Sequence, residues 1–439
     1  MSGPETGALF AAFMLLMMFV RVPIGLSMAL AGGLGYVFLS GWSPLLSYLK
    51  TSPYYQMGSV TLSVIPLFLL MGQLSARAGV SRALFAFANA FLGHRRGGLC
   101  IAAIGGCAMF GAICGSSLAT AATMGQVALP EMKKYGYKPS LATGTLAAGG
   151  TLGILIPPSI VLIVYAILTE QNIAKLFLAA FIPGLLAMLG YMAAISVFVR
   201  FFPEAGPARE RADRREKLRA LFDMLPVCVL FVIVLGGIYA GVFTPDEAAA
   251  FGAAGAALIA FTLGGMRFDG FIASIAETAV GTGMIFLILI GADIFNAFLA
   301  LTGMPQALAT LIGESGLSPY LVLLAMLLSY LLLGCLMDSL SMVLLTIPIF
   351  FPVVMGLDFG MTPEQTAIWF GIVVLVVVEL GLITPPVGMN VFVINKLAGD
   401  VPMMETFKGV IPFLTSDFIR VALLITFPVI TIGVLRLID

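Results

Sequence analysis

The residues best suited to chemistry in this chain are oxygen donors placed at breaks in apolar segments. One group, Gly111-Ala-Ile-Cys-Gly-Ser-Ser-Leu-Ala-Thr, gathers Ser116, Ser117 and Thr120 beside Gly115; another sets Asp338 next to Ser339 and Ser341. Two more stretches, Gly153-Ile-Leu-Ile-Pro-Pro-Ser and Gly381-Leu-Ile-Thr-Pro-Pro-Val-Gly, carry a double proline inside an apolar run. Proline locks φ, removes a donor and disfavours helix in the residue before it, so each break frees backbone carbonyls. Hydroxyls, a carboxylate and freed carbonyls are hard donors that suit Na⁺. A first Na⁺ set comprises Ser116, Ser117 and Thr120 with the carbonyls of Gly153 and Ile156 and the Ser159 hydroxyl. A second comprises Asp338, Ser339 and Ser341 with Thr384 and the carbonyls of Gly381 and Val387.

Asp338 is the sharpest of these, because a carboxylate at membrane depth costs about 2.5–3.5 kcal/mol and should face a cavity or a cation. No Lys or Arg lies near it in sequence, although a distant basic partner is the competing explanation. For the serines the alternative is close helix packing by small residues, a role that fits Ala119, Ala121 and Ala122. Glu379 either hydrogen-bonds freed amides and holds its break open or binds a cation, the supporting role being favoured. The half-helix amino termini at Pro157, Pro158, Pro385 and Pro386, with Ser117 and Asn390, offer positive dipole ends to a carboxylate substrate. Asp293 and Asn296 give only a weak signal.

These groups must be positioned by membrane helices. Of 439 residues, 60% are hydrophobic and 10% charged, against about 25% charged in soluble domains; mean hydropathy is +1.10. Zero net charge argues against nucleic acid as a partner. The single histidine, His94, makes histidine-based chemistry improbable, and five cysteines without CxxC spacing read as small buried hydrophobes. The first apolar run lacks the basic flank of a signal peptide and reads as a retained helix.

Apolar runs of spanning length fall near 6–20, 23–41, 59–76, 140–168, 175–200, 223–243, 247–266, 281–301, 364–396 and 416–437. Stretches 97–130 and 319–354 are interrupted midway and read as re-entrant hairpins. Lys and Arg cluster at Arg21, Arg77, Arg82, Arg95, Arg96, Lys133, Lys134, Lys138 and through 200–219, which marks those connections as cytoplasmic. Glu314, Asp358 and Glu364 flank the second hairpin, whose mouth then lies outside. The chain is thus expected to be an all-α polytopic membrane protein. A first repeat (1–200) holds hairpin 97–130 and broken helix 140–168, a basic cytoplasmic loop follows (201–222), and a second repeat (223–439) holds hairpin 319–354 and broken helix 364–396. Each half has five spans and one hairpin, the amino terminus is outside, and the second half is inverted. Paired landmarks recur at a spacing of about 220 residues, among them Gly111-Ala-Ile-Cys-Gly-Ser-Ser with Gly334-Cys-Leu-Met-Asp-Ser-Leu, as inverted-repeat carriers require. Segments 81–92 and 268–279 are either surface helices or amphipathic extensions of spans.

The Gly111 and Gly153 motifs, Pro130-Glu131-Met132, Met337-Asp338-Ser339, Ile347-Pro348 and Glu379-Leu-Gly-Leu-Ile-Thr-Pro-Pro-Val-Gly-Met-Asn together resemble the large membrane subunit of tripartite ATP-independent periplasmic (TRAP) transporters. The resemblance covers nearly the whole chain and is most specific at the second double proline. It implies a Na⁺-coupled importer in the bacterial inner membrane, working as an elevator in which hairpins and broken helices move against a scaffold. It also implies a small four-span membrane subunit, expected here as a separate polypeptide, and a soluble periplasmic protein that delivers an organic acid such as a C4-dicarboxylate or sialic acid. Moving one charge through 100 mV is worth about 2.3 kcal/mol, so a dianion needs at least two Na⁺ to avoid opposing the potential. The alternative is a stand-alone Na⁺/dicarboxylate symporter without a soluble partner. An intramembrane enzyme is poorly supported, since no HExxH or GxSxG context occurs. A channel is disfavoured by the inverted repeat.

Overall fold

A computed structural model describes residues 2–314 and 316–437. Its regular structure is helical, with no strand among the described residues. The caps follow from local sequence: Ser2 with Glu5, Thr244 with Glu247 and Thr362 with Gln365 form reciprocal boxes, and proline opens several helices where no intrahelical donor is needed. Among the described residues, six helices are long and apolar enough to cross a bilayer, or seven when the pair Pro139–Leu155 and Ile160–Thr169, bent by 42°, counts as one span. The first two helices, Gly3–Phe19 and Ile24–Ser40, have 17 residues each. At 1.5 Å per residue each covers about 25 Å, just short of an average hydrocarbon core.

The helices break at the punctuated positions. The pairs read from sequence as hairpins are Gly98–Cys114 with Ser117–Lys134, and Pro319–Gly334 with Ser339–Met355. The second broken helix is Pro363–Gly381 with Met389–Ala398. Elsewhere the boundaries shift. The basic stretch 201–222 is irregular up to Asp213, apart from the short turn Pro203–Ala205; Asp213 then caps a helix, Arg214–Tyr239, whose first turns carry Arg214, Arg215, Lys217 and Arg219. Segment 81–92 forms its own helix, Val80–Leu92, after Gly79 in the left-handed region, whereas 268–279 is the start of one 35-residue helix, Phe268–Thr302. The last span lies at Met403–Thr426, not 416–437. Phe427 and Pro428 end it, Glu405 and Lys408 make its first turns polar, and Asp417 and Arg420 are buried together within it. Trp42–Met57 and Met304–Glu314 are additional helices. The side chain of Glu314 lies outside the described residues. Asp293 accepts hydrogen bonds from Tyr48 (2.8 Å) and from Ser52, and so ties Trp42–Met57 to Phe268–Thr302.

The helices sort into two packed groups. In one, Ile24–Ser40 runs along Phe268–Thr302, Val64–Arg77 lies against Pro245–Thr262, and Arg214–Tyr239 and Gly3–Phe19 complete the layer. In the other, both hairpins and both broken helices pack with Ile173–Phe201 and Met403–Thr426. Val80–Leu92 touches members of both. Three ion pairs join the chain halves within one group: Arg77–Glu277 (2.5 Å) in the first, and Lys133–Asp400 (3.4 Å) and Lys175–Glu364 (2.9 Å) in the second. Where the groups meet, apolar contacts such as the Phe68–Phe177 ring pair at 6.4 Å stand beside cavities with polar linings.

Candidate functional site

The site is built by four half-helices that begin near one another. Gly115, at φ +64°, turns the first hairpin, and Ser116 caps the next helix by accepting from the Ala119 amide. Asp338 plays the same part in the second hairpin, accepting from the Ser341 amide (3.2 Å) and from the Ser341 hydroxyl. This capping role is a third explanation for the carboxylate, besides a cavity or a basic partner, and leaves it partly exposed. Ser159 caps Ile160–Thr169, and Gly388 precedes Met389–Ala398. Both Pro-Pro bonds, Pro157-Pro158 and Pro385-Pro386, are cis.

Each hairpin touches its broken helix through glycine. A Cβ on Gly111 would lie 2.4 Å from the Gly153 Cα, and one on Gly381 would lie 2.7 Å from the Gly334 Cα, so only backbone fits at either crossing. The same crowding brings donors together in the first half. The Ser116 carbonyl and the Thr120 hydroxyl both converge on Gly153, 2.7 Å and 2.4 Å from where its Cβ would stand. Thr120 is fully buried, and its hydroxyl has no hydrogen-bond partner among the described residues. A buried unpaired oxygen costs roughly 1–3 kcal/mol, which a bound cation would offset. In the second half the donors are partly used: Thr384 donates to the Leu380 carbonyl (2.7 Å), the Cys335 carbonyl accepts from the Gly388 amide (3.3 Å), and the Pro385 carbonyl accepts from the Cys335 thiol (3.1 Å).

Glu379 joins the halves. Its side chain is fully buried near the end of Pro363–Gly381 and accepts from Ser117 of the first hairpin and from Ser339 of the second (2.5 Å). Its partners are thus hydroxyls at the two tips, not the freed amides expected from sequence. Asn390 is a second link: its amide donates to the Ala147 carbonyl (3.2 Å) and packs against Gly150, while its own carbonyl oxygen is buried without a partner among the described residues.

A cavity of about 150 Å³ lies at the tips, lined by Gly115, Ser116, Ser117, Asp338 and Ser339, with Leu69 and Ile285 contributed by the other helix group. The structure therefore places four expected donors on one wall. Thr120, Gly153, Ile156 and Ser159 lie behind the first tip, Ser341 behind the second, and Gly381, Thr384 and Val387 at the second break. Of the residues assigned to substrate, only Ser117 lines the cavity; Pro157 and Pro158 are buried, Pro385 and Pro386 are exposed, and Asn390 serves the link described above.

Sequence reasoning missed one buried polar cluster beside this site. Thr151 and the Tyr191 hydroxyl are 3.0 Å apart, Tyr191 donates to Asp417 (2.7 Å), and Arg420 pairs with Asp417 (2.8 Å). Its signal was the opposite-charge pair Asp417 and Arg420 at i,i+3 within the largely apolar stretch 409–426.

A family model described as "Tripartite ATP-independent periplasmic transporter, DctM component" matches residues 11–430. The chain belongs to this family. It is 39% identical over 411 residues to a C4-dicarboxylate TRAP transporter large permease protein DctM of Pseudomonas aeruginosa, covering 93% of each chain. It is 32% identical over 421 residues to a sialic acid TRAP transporter large permease protein SiaM of Vibrio cholerae, covering 95% of each. In fold it resembles the YdaH transporter of Alcanivorax borkumensis, at TM-score 0.59 and 14% identity, covering 96% of this TRAP permease and 97% of that chain. This TRAP permease is therefore a multi-pass bacterial membrane transporter component.

Proposed function

We propose that this permease imports an organic acid, such as a C4-dicarboxylate or sialic acid, by coupling it to Na⁺, and that the two hairpins and broken helices move as one body against the remaining helices. The observation that carries this reading is the Glu379 carboxyl group held between Ser117 and Ser339, which locks both hairpin tips into one unit beside a cavity. Sliding is favoured where the boundary makes apolar contacts, as at Phe68 and Phe177, since ion pairs or side-chain hydrogen bonds across it would have to break in each cycle. Na⁺ is assigned to the Ser116 carbonyl and Thr120 hydroxyl at Gly153, and to the Asp338 tip facing the second break.

The reading includes a small four-span membrane subunit and a periplasmic binding protein, consistent with the tripartite family, and an inner-membrane location with the amino terminus periplasmic. Ion-pair placement supports opposite orientation of the halves: Lys133–Asp400 joins ends both assigned to the cytoplasm, and Lys175–Glu364 joins ends both assigned outside.

Asp338→Asn and Ser116→Ala test the site. Asparagine caps a helix as well as aspartate does, so Asp338→Asn removes the charge and keeps the cap. Both variants are expected to insert normally and to show lower Na⁺-dependent uptake. Wild-type uptake with unchanged Na⁺ dependence in both would remove these residues from the site.

A further inference from the structure

A second, larger cavity of about 660 Å³ follows the tip cavity along the same two helices. One wall carries Ala76 and Arg77 at the end of Val64–Arg77, with Arg82 just beyond; the other carries Thr123, Gln126 and Glu131 of the hairpin helix Ser117–Lys134. Leu69, on the tip cavity, and Ala76 stand two turns apart on one helix face, about 10 Å. Ser117 and Gln126 are separated by about 14 Å along the hairpin helix. The cavities therefore succeed one another from the hairpin tip towards the basic ends at Lys133 and Lys134. Thr123 and Gln126 are one turn apart and accessible, while Met124, Gly125 and Ala128 on the same helix are buried.

The charges on this second cavity are not equivalent. Arg77 is committed to Glu277 at 2.5 Å, and Glu131 is the one acid on the wall. Arg82 is exposed and forms no ion pair among the described residues. A guanidinium with free donors in a water-filled recess concentrates anions without binding them tightly, because water and salt screen it. That behaviour suits release. Further along the chain, 268–395 contain no Lys or Arg at all, so Arg82 is a cation within reach of an anion leaving the tips by this route.

We infer that this second cavity is the release vestibule, in which Arg82, with Thr123 and Gln126, receives the carboxylate group of the substrate as it leaves the hairpin tips. The inference rests on the proposed reading of the tip cavity as the transport path. Its test does not depend on transport. In a Cys228→Ser background, where the other cysteines are buried, Thr123→Cys is labelled in sided vesicles with anionic and cationic membrane-impermeant methanethiosulfonates. Labelling is expected from the face that carries Arg95 and Arg96, with the anionic reagent favoured. Adding Arg82→Gln should lower the anionic-to-cationic rate ratio on the order of ten-fold. Arg82→Lys should restore the ratio, and Arg95→Gln should leave it unchanged. Labelling from the basic face with a ratio that ignores Arg82→Gln would overturn the vestibule and leave the transport reading intact. Labelling only from the opposite face would overturn both the vestibule and the membrane orientation, and no labelling with either reagent would show the recess closed to water and overturn the vestibule.

Discussion

Glu379→Ala is expected to reduce uptake at least about ten-fold while the protein still reaches the membrane. The substitution removes the acceptor shared by Ser117 and Ser339 and leaves two buried hydroxyls without their partner. A hydrogen bond contributes about 0.5–1.5 kcal/mol net, and a buried polar group left without a partner costs about 1–3 kcal/mol. The loss falls on an acceptor shared by both tips, so the hairpins should loosen relative to each other before the helices around them unfold. Glu379→Gln keeps the size and one good acceptor, and is expected to fall between wild type and alanine. Uptake, with folded yield by size exclusion as the control, checks this. Wild-type uptake in Glu379→Ala would mean that the tips are held by packing alone.

Gly153→Ala should have an effect of similar size by a different route. A methyl group there would meet the Thr120 hydroxyl at 2.4 Å and the Ser116 carbonyl at 2.7 Å, below any real Cβ contact. Forcing extra volume into such a crossing costs about 1–3 kcal/mol, and here the cost falls on the atoms assigned to Na⁺. The expected outcome is a rise of about ten-fold or more in the Na⁺ concentration that half-saturates uptake. Gly283→Ala, where nothing stands within 4 Å, is the matched control and should be neutral. An unchanged Na⁺ dependence in Gly153→Ala would exclude the first Na⁺ set.

The parts of this fold that sequence revealed are those with strong local punctuation. Two double prolines and Gly115 beside paired serines interrupt helices, and the helix ends lie close to where the polar interruptions put them. The carriers of long-range geometry were less legible. The partners of Glu379 lie 262 and 40 residues away, and nothing near Glu379 distinguishes a hydroxyl acceptor from a group holding backbone amides. Glu405 and Lys408 hid the first turns of Met403–Thr426, and the apolar residues after Pro428 drew the expected span past the helix end at Thr426. Trp42–Met57 was hidden by Lys50, Ser52 and Pro53, yet Tyr48 and Ser52 on it explain Asp293, whose role sequence could not assign. Asp338 was read for its charge, while its local cap with Ser341 could have been found from the Asp-x-x-Ser spacing alone.

Na⁺-coupled import through the hairpin site, with delivery by a soluble protein, is the activity proposed for this permease. It is tested most directly by uptake of a labelled organic acid into proteoliposomes holding this permease and its small subunit, with an imposed Na⁺ gradient and with or without the cognate periplasmic binding protein. Uptake that requires both the gradient and the binding protein is the predicted result. Uptake that proceeds without Na⁺, or with Na⁺ but no binding protein, would contradict the account, the second outcome pointing to a stand-alone symporter.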